Sequence, residues 1–344
     1  MAVAAQILPS KERSTGVPKN RHLSFIAAFK PSDHTGLMTA LRDAHLNVNR
    51  QPRAEARKNT RAISGVNEKP GIALALGGGF SRGFAHLGVI KVLEEEGIPV
   101  SVIVGTSIGA LLGAAYADGV SFRDLCDLGR AVRIRDFLRF QQSEQRAGKK
   151  DRIAQLVQDC FHSTAVEELA IPTAIVTTDL NTGAPYVFTR GPLDIAIRAS
   201  CAFPGLVYPV EYEGRVLADG CIVTPVPTAV AARINGGCVL GVAVGSNSAD
   251  ASASGRAVKV FGPDFRASHR GDLQSSWSRN ADILLEPQVH HIDWNDFSRV
   301  DEAVAAGADA ARQSLPFVRE MLERRAEFST APSTCFRAER GMGI

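Results

Sequence analysis

Val102-Ile103-Val104-Gly105-Thr106-Ser107-Ile108-Gly109-Ala110-Leu111-Leu112-Gly113 reads as a short buried strand, then Gly-x-Ser-x-Gly, then a helix apolar on nearly every face. That layout is a nucleophile elbow. A serine hydroxyl acts as a nucleophile only where it protrudes into a site and meets a base. A sharp strand-to-helix turn makes it protrude, and the turn brings two backbones close. Gly105 and Gly109 keep the flanking positions small, and Ala and Gly through Tyr116 let the helix lie deep against a sheet. Five residues alone would also fit a Gly-rich turn with an incidental serine, so the neighbouring segments carry the decision.

Upstream, Gly71 to Leu76 is an apolar run of strand length, followed by Gly77-Gly78-Gly79-Phe80-Ser81-Arg82-Gly83. Phe84 to Glu96 has the helical stripe Phe84, Leu87, Ile90 and Leu93, and Gly97-Ile98-Pro99 stops it. Val100 to Val104 then delivers Ser107. Strand, loop, helix, strand, elbow and helix form a βαβα run with parallel strands. The expected fold is therefore α/β, three-layer α/β/α around a mostly parallel central sheet.

Downstream, Ser121 to His162 is helical and charged and suits a cap over the sheet edge, with Gln141 to Lys150 as an exposed loop. Strands are expected at Ile171 to Thr178, Tyr186 to Phe188, Cys238 to Val244 and Ala281 to Leu285. Glu211 to Leu217 should form a hairpin turned at Glu213-Gly214, leading into Ala218-Asp219-Gly220. Helices are expected at Pro192 to Ala202, Pro227 to Ile234, Arg299 to Arg312 and Phe317 to Phe328. Ser246 to Gly271, rich in Ser, Ala, Gly and charge, reads as a long surface excursion.

Acyl transfer from a serine needs a nucleophile, a base, oxyanion donors and a shaped cleft. Ser107 is the nucleophile, and the amides of Gly78, Gly79 and Phe80 are candidate donors at the start of a helix. A dinucleotide or phosphate loop fits less well. Gly77 and Gly79 are followed at the third position by Arg82, so GxGxxG fails, and no GxxxxGK[ST] is present. Two kinds of base remain open on residues alone. His290 or His291 follows the last strand, where a triad histidine could fall. Asp219 stands at a strand end before Gly220, whose freedom at φ would aim a carboxylate. His86 reads as a core residue of the first helix.

Leu76 to Ile90 resembles the first block of the patatin-like phospholipases, and Gly105-Thr106-Ser107-Ile108-Gly109-Ala110 resembles their nucleophile block. Ala199-Ser200-Cys201-Ala202-Phe203-Pro204-Gly205 resembles their block between nucleophile and acid, and Asp219-Gly220 is similar to the Asp-Gly of their third block, all in the family's order. The resemblance runs from about Pro70 to about Ser314. It implies a Ser107–Asp219 dyad without histidine, and an oxyanion loop of Gly78, Gly79 and Phe80 with Arg82 nearby. Gly83, Gly105, Gly109 and Gly220 are its motif glycines. It further implies hydrolysis of phospholipid or lysophospholipid acyl esters through an acyl-enzyme. Alternatives are a triad esterase using His290 or His291, or a catalytically silent lipid-binding protein of this fold. No cofactor and no metal is implied.

This chain departs from the family at three places. Phe80 stands where the third Gly of Gly-Gly-Gly-x-Arg/Lys-Gly is usual. It should take φ < 0, its ring flooring the acyl site. Cys221 follows Asp219-Gly220 where Gly or Ala is usual, and Ser246 to Gly271 matches no family block.

The bulk composition suits a soluble globular chain of 344 residues with 45% hydrophobic and 22% charged residues. Charge is uneven: residues 1–66 hold eleven Lys and Arg against four Asp and Glu, a net +7, leaving the remainder at −4 of the total +3. Residues 1–68 are expected to be a poorly ordered basic arm, 69–328 the catalytic domain and 329–344 a loose tail. The arm suits peripheral contact with an anionic membrane, and no nucleic-acid partner is expected. The six cysteines lack CxxC or paired spacing and read as reduced thiols of a cytoplasmic chain. Neither a secretory signal nor a transmembrane run is apparent, although the Arg-rich start would also suit an organelle transit peptide.

Overall fold

The computed structural model describes residues 71–131, 157, 159–204, 206–235, 238–245 and 277–330, all within one compact unit. The arm at 1–68, the exposed loop at 141–150 and the excursion at 246–271 lie outside the described residues.

Strand β1 (Ile72–Leu76) has the sequence IALAL. Side chains alternate across a strand, so Ile72, Leu74 and Leu76 face one side and Ala73 and Ala75 the other. The large face joins the main core, the small face a second cluster with Val102, Val104, Ala174, Val176, Val230 and Val239. Each fully buried Ile or Leu on the large face contributes about 1.5–3 kcal/mol. Strand β2 (Val100–Thr106) pairs parallel with β1. Helix α1 (Ala85–Glu95) connects them, and a 3-10 turn over Phe80–Phe84 leads into it. After β2 come α2 (Ile108–Ala117) and α3 (Phe122–Ala131).

The second half adds β3 (Thr173–Asp179), β4 (Ala184–Phe188), α4 (Leu193–Ser200), β5 (Val210–Tyr212) and β6 (Arg215–Asp219). Then follow α5 (Thr228–Asn235), β7 (Cys238–Val242), β8 (Ile283–Leu285) and α6 (Val300–Thr330). The strand order is β5-β6-β3-β2-β1-β7-β8, with β4 pairing β3 off this path. The run β3-β2-β1-β7-β8 is parallel, while β4 and β6 run antiparallel to β3. The expected α/β architecture with a mostly parallel sheet is the one observed. The hairpin β5–β6 turns at Glu213 (φ 47°) and Gly214 (φ 73°), the two left-handed positions a two-residue turn needs.

One expectation is overturned. The segments 299–312 and 317–328 form a single helix, α6, with Pro316 inside it. Proline removes one helical N–H and favours a break. Here the apolar stripe Val300, Ala303, Ala308, Ala311 and Val318 stays buried across it, and packing overrides the local preference. Helix α6 lies close on α1. A Cβ at Gly88 would run into the backbone of Val304, and one at Gly307 into that of Ala85. The helix also reaches two residues into the segment expected as a loose tail; residues 331–344 lie outside the described residues.

Candidate active site

Ser107 follows the last residue of β2 and caps α2 with φ 55° and ψ −123°. A non-glycine residue held there costs on the order of 1–3 kcal/mol and persists only where its surroundings enforce it. Three features enforce it. A Cβ at Gly109 would strike the Leu76 carbonyl, and one at Gly105 would strike the Ala110 backbone, so no larger residue permits the turn. The Ser107 N–H donates to Ser200 Oγ (2.9 Å), and Ser200 Oγ in turn donates to the Val176 carbonyl (2.7 Å). Ser200 is thus the strut behind the elbow. Sequence reasoning placed it in a family block without a role, because a serine near a helix end has no distinguishing pattern.

Strand register brings Asp219 to the serine. Thr106 pairs with Val176, and Asp219 pairs with Thr177 from the same edge of β3. Residue 107 continues β2 where β6 ends, so the two strand ends meet head to head beside that edge and bring the two side chains together. Ser107 Oγ donates to Asp219 Oδ2 at 2.7 Å. The other oxygen, Oδ1, accepts from the Cys221 N–H (2.8 Å), and Thr178 Oγ1 holds the Asp219 carbonyl (2.9 Å). Asp219 is fully buried. Burial raises its pKa from 3.8 to about 6, against the lowering effect of its hydrogen bonds from Cys221 and Ser107. The neighbouring Cys201 and Cys221 thiols are pushed up by burial first and by the charge of Asp219 second, so both stay neutral.

The glycine loop lies beside them. The Gly77 N–H donates to the Val242 carbonyl (3.0 Å) and the Gly78 N–H to the Pro225 carbonyl (3.0 Å). Gly78 is therefore corrected from donor to anchor: its amide ties the loop to the turn after β6. Among the described residues no acceptor takes the N–H of Gly79 or of Phe80. Phe80 also departs from expectation, with φ 51° instead of a negative value. Its neighbours over-determine it. The ring makes edge contacts with Phe203 (5.3 Å) and Trp294 (5.0 Å). Ser81 next to it donates from its N–H to the Trp294 carbonyl and from Oγ to the Asp293 and Trp294 carbonyls. Arg82 is buried, with Nε on the Ile292 carbonyl (2.6 Å) and Nη2 on the His290 carbonyl (3.2 Å). Its contribution to the loop is this clamp on 290–292.

Among the described residues neither histidine proposed for a triad is hydrogen-bonded to Ser107 or Asp219. His290 is exposed and offers its carbonyl to Arg82, while the exposed His291 ring meets Glu302 Oε1. His86 is fully buried, as expected, and its Nε2 meets the Gly77 carbonyl at 2.7 Å.

An apolar pocket opens at Ser107, lined by Phe80, Ile108, Leu111, Cys201, Phe203, Leu206, Val207 and Phe297. Its cavity volume is about 20 Å³, so its apolar walls lie close together. A strained serine on a buried carboxylate, two amides without partners and an apolar pocket form a site able to attack an acyl carbonyl.

The model of the patatin-like phospholipase family matches residues 74–232, a stretch that contains the glycine loop, Ser107 and Asp219. Residues 74–232 are a patatin-like phospholipase domain. An uncharacterized NTE family protein of Mycobacterium tuberculosis is 40% identical over 186 residues, 53% of this chain and 51% of that protein. Patatin-like phospholipase domain-containing protein 7 of Rattus norvegicus is 32% identical over 185 residues, 51% of this chain and 14% of that protein. The chain thus spans about half the length of the mycobacterial relative. VipD from Legionella pneumophila, a solved structure, superposes with a TM-score of 0.45 at 14% identity, over 74% of this chain and 67% of that one. Among the described residues, no helix of the patatin-like domain or beyond it is long and apolar enough to cross a membrane.

Proposed function

We propose that this chain is a lipid acyl hydrolase working through a Ser107–Asp219 dyad. The observation that carries the reading is the 2.7 Å hydrogen bond from the strained Ser107 to a buried carboxylate, at the mouth of an apolar pocket. The acyl chain of a phospholipid or lysophospholipid enters the pocket and sets its ester carbonyl over Ser107. Oγ attacks the carbonyl carbon as its proton passes to Asp219 Oδ2. The carbonyl oxygen gains the negative charge and takes the N–H groups of Gly79 and Phe80. Collapse breaks the ester bond, and the leaving alcohol oxygen recovers the proton from Asp219. Water then attacks the acyl-enzyme carbonyl as its proton passes to Asp219; collapse breaks the Ser107 Oγ–acyl bond, Oγ takes that proton back from Asp219, and the fatty acid leaves. A carboxylate whose pKa lies near 6 is a stronger base than an ordinary one and is still ionised at neutral pH.

The test is a lipid-ester panel with wild type and Ser107→Ala, together with an active-serine fluorophosphonate probe. Turnover and labelling of wild type alone support the reading. Labelling of neither protein favours a silent lipid-binding role. The basic segment 1–66 is proposed to hold the chain on anionic lipid, each Lys or Arg contributing about 1 kcal/mol at most. Vesicle co-sedimentation should therefore weaken with salt and with removal of residues 1–66. Equal sedimentation of both chains at low salt would exclude that role.

A further inference from the structure

His86, on the first turn of α1, is out of place by the ordinary logic of a core. It has no solvent exposure, and Ala85, Leu87 and Val89 beside it in the sequence are fully buried as well. Desolvation lowers its pKa to about 4, against the raising effect of the Gly77 carbonyl, so the ring is neutral near pH 7. A carbonyl only accepts, so the nitrogen facing Gly77 at 2.7 Å carries the proton. That leaves Nδ1 as a bare acceptor, buried and without a partner among the described residues. Such an orphan acceptor bears its desolvation penalty with no hydrogen bond to offset it. A leucine would fill the space without that cost, so the ring's one polar contact has to explain its presence.

The Gly77 carbonyl is the first one past the end of the β1 ladder, which stops at Leu76 with partners Gly105 and Val242. It shares a peptide plane with the Gly78 N–H. His86 holds one edge of that plane at 2.7 Å, and the Pro225 carbonyl holds the other at 3.0 Å. The next two amides along the chain are those of Gly79 and Phe80. Three consecutive glycines leave the segment soft in φ and ψ. A plane held at one edge only would let both donors swing. We infer that His86 is a positioning residue for the oxyanion donors, fixing the Gly77–Gly78 peptide plane from which the Gly79 and Phe80 amides are aimed. The inference rests on the acyl-hydrolase reading and deepens it. His86 touches no reacting atom and exchanges no proton in the reaction.

The test compares His86→Leu, His86→Gln and His86→Asn. A glutamine Nε2 lies as many bonds from Cα as the histidine Nε2 and is able to donate to Gly77; an asparagine amide is one atom short, and leucine has no donor. With a soluble short-chain ester, His86→Leu and His86→Asn should lose about 10-fold to 100-fold in kcat, the scale of a misaimed group, with KM nearly unchanged. The rate of Ser107 labelling by a fluorophosphonate should fall in parallel. His86→Gln should recover most of both rates even if its melting temperature drops. If His86→Leu does not fold, the Gln and Asn variants make the same comparison. Equal loss in the Gln and Asn variants, or no loss in a folded His86→Leu, would overturn the positioning role alone. A wild type whose Ser107 neither turns over ester nor labels would overturn the hydrolase reading and this inference with it.

Discussion

Two neighbouring strands of the sheet, β1 and β2, each end in a turn that holds a bulky or functional side chain at positive φ, Phe80 at 51° and Ser107 at 55°. Both turns feed buried helices at the same end of the parallel strands, and both face the pocket. They are built differently. The serine turn is enforced by absence: Gly105 and Gly109 leave room, and a single hydroxyl, Ser200, braces it. The phenylalanine turn is enforced by attachment. His86, Val242 and Pro225 hold its start, and the carbonyls of His290, Ile292, Asp293 and Trp294 hold its end. A nucleophile needs one atom in one place, and steric room is enough for that. A pair of donors needs two peptide planes in fixed orientation, which only hydrogen bonds to distant elements provide.

If the serine turn carries the chemistry, its loss should be the most damaging. Ser107→Ala and Asp219→Asn should each lower kcat/KM by about 10³-fold or more, and the double variant should be no worse than either, because the two groups act as one unit. Steady-state kinetics on a soluble ester checks this, with circular dichroism to confirm folding. Full activity in Asp219→Asn together with dead His290→Ala or His291→Ala would shift the base to the loop after β8. If the phenylalanine turn supplies only donors, its damage should be smaller and confined to the chemical step. A Cβ at Gly79 would stand 2.7 Å from Val244 Cγ2, so Gly79→Val must rotate its own peptide plane or push aside the segment that follows β7. The expected loss is about 10²-fold in kcat with little change in KM. A near-normal kcat would place the oxyanion hole elsewhere.

The two turns also differ in how far the sequence announces them. Gly-x-Ser-x-Gly after a valine-rich strand states its own geometry, because small residues at 105 and 109 have few other reasons to flank a serine there. The alternation in IALAL likewise states which face of β1 takes the large core. Phe80 could not be read this way. Its bulk argues for negative φ, and the contacts that override it come from Phe203 and from Trp294, 214 residues further along the chain. Asp219 was legible from the residues alone only as one of two kinds of base, and the family resemblance rather than any local pattern paired it with Ser107, since their meeting depends on β6 pairing with β3 through Thr177 and Asp219. Pro316 misled for the opposite reason: a local helix breaker was outweighed by a buried stripe that continues to Val318. What escaped the sequence was decided by long-range register and packing.

Asp219 links the two turns through pH. Its pKa near 6 predicts that kcat/KM falls about tenfold per unit below pH 6, as the base becomes protonated. A profile flat down to pH 4.5 would exclude Asp219 as the base. The same shift has an opposite meaning for stability. The folded chain holds this proton more tightly than the unfolded chain, where the pKa is near 3.8. The group's stabilising contribution is therefore complete below pH 3.8 and is lost as pH rises through 6. At pH 7.5, Asp219→Asn should raise the melting temperature, by an amount corresponding to at most about 3 kcal/mol. The inactive variant would then be the more stable one, and an unchanged or lower melting temperature would mean that the buried charge is better compensated than its surroundings indicate.

The smallest expected effect separates the two jobs of Phe80, its strained backbone and its packed ring. Phe80→Ala removes the ring from Phe203 and Trp294 but keeps a Cβ at φ 51°. Phe80→Gly removes the ring and the strain together. The left-handed conformation costs a non-glycine residue about 1 kcal/mol, so the glycine variant should be the more stable of the two by about that amount. Part of the gain is offset because glycine has more freedom to lose on folding. Both variants widen the pocket and should raise KM for a short acyl ester to a similar degree. Only kcat should tell them apart, since an unrestrained glycine at 80 lets the second donor wander, whereas alanine keeps the backbone near its present angle. Paired melting curves and ester kinetics read both quantities. If alanine proves as stable as glycine, the positive φ is not a source of strain and Phe80 is held by its ring alone. If the two variants share the same kcat, the Phe80 amide is not among the oxyanion donors, and Gly79 carries that role without it.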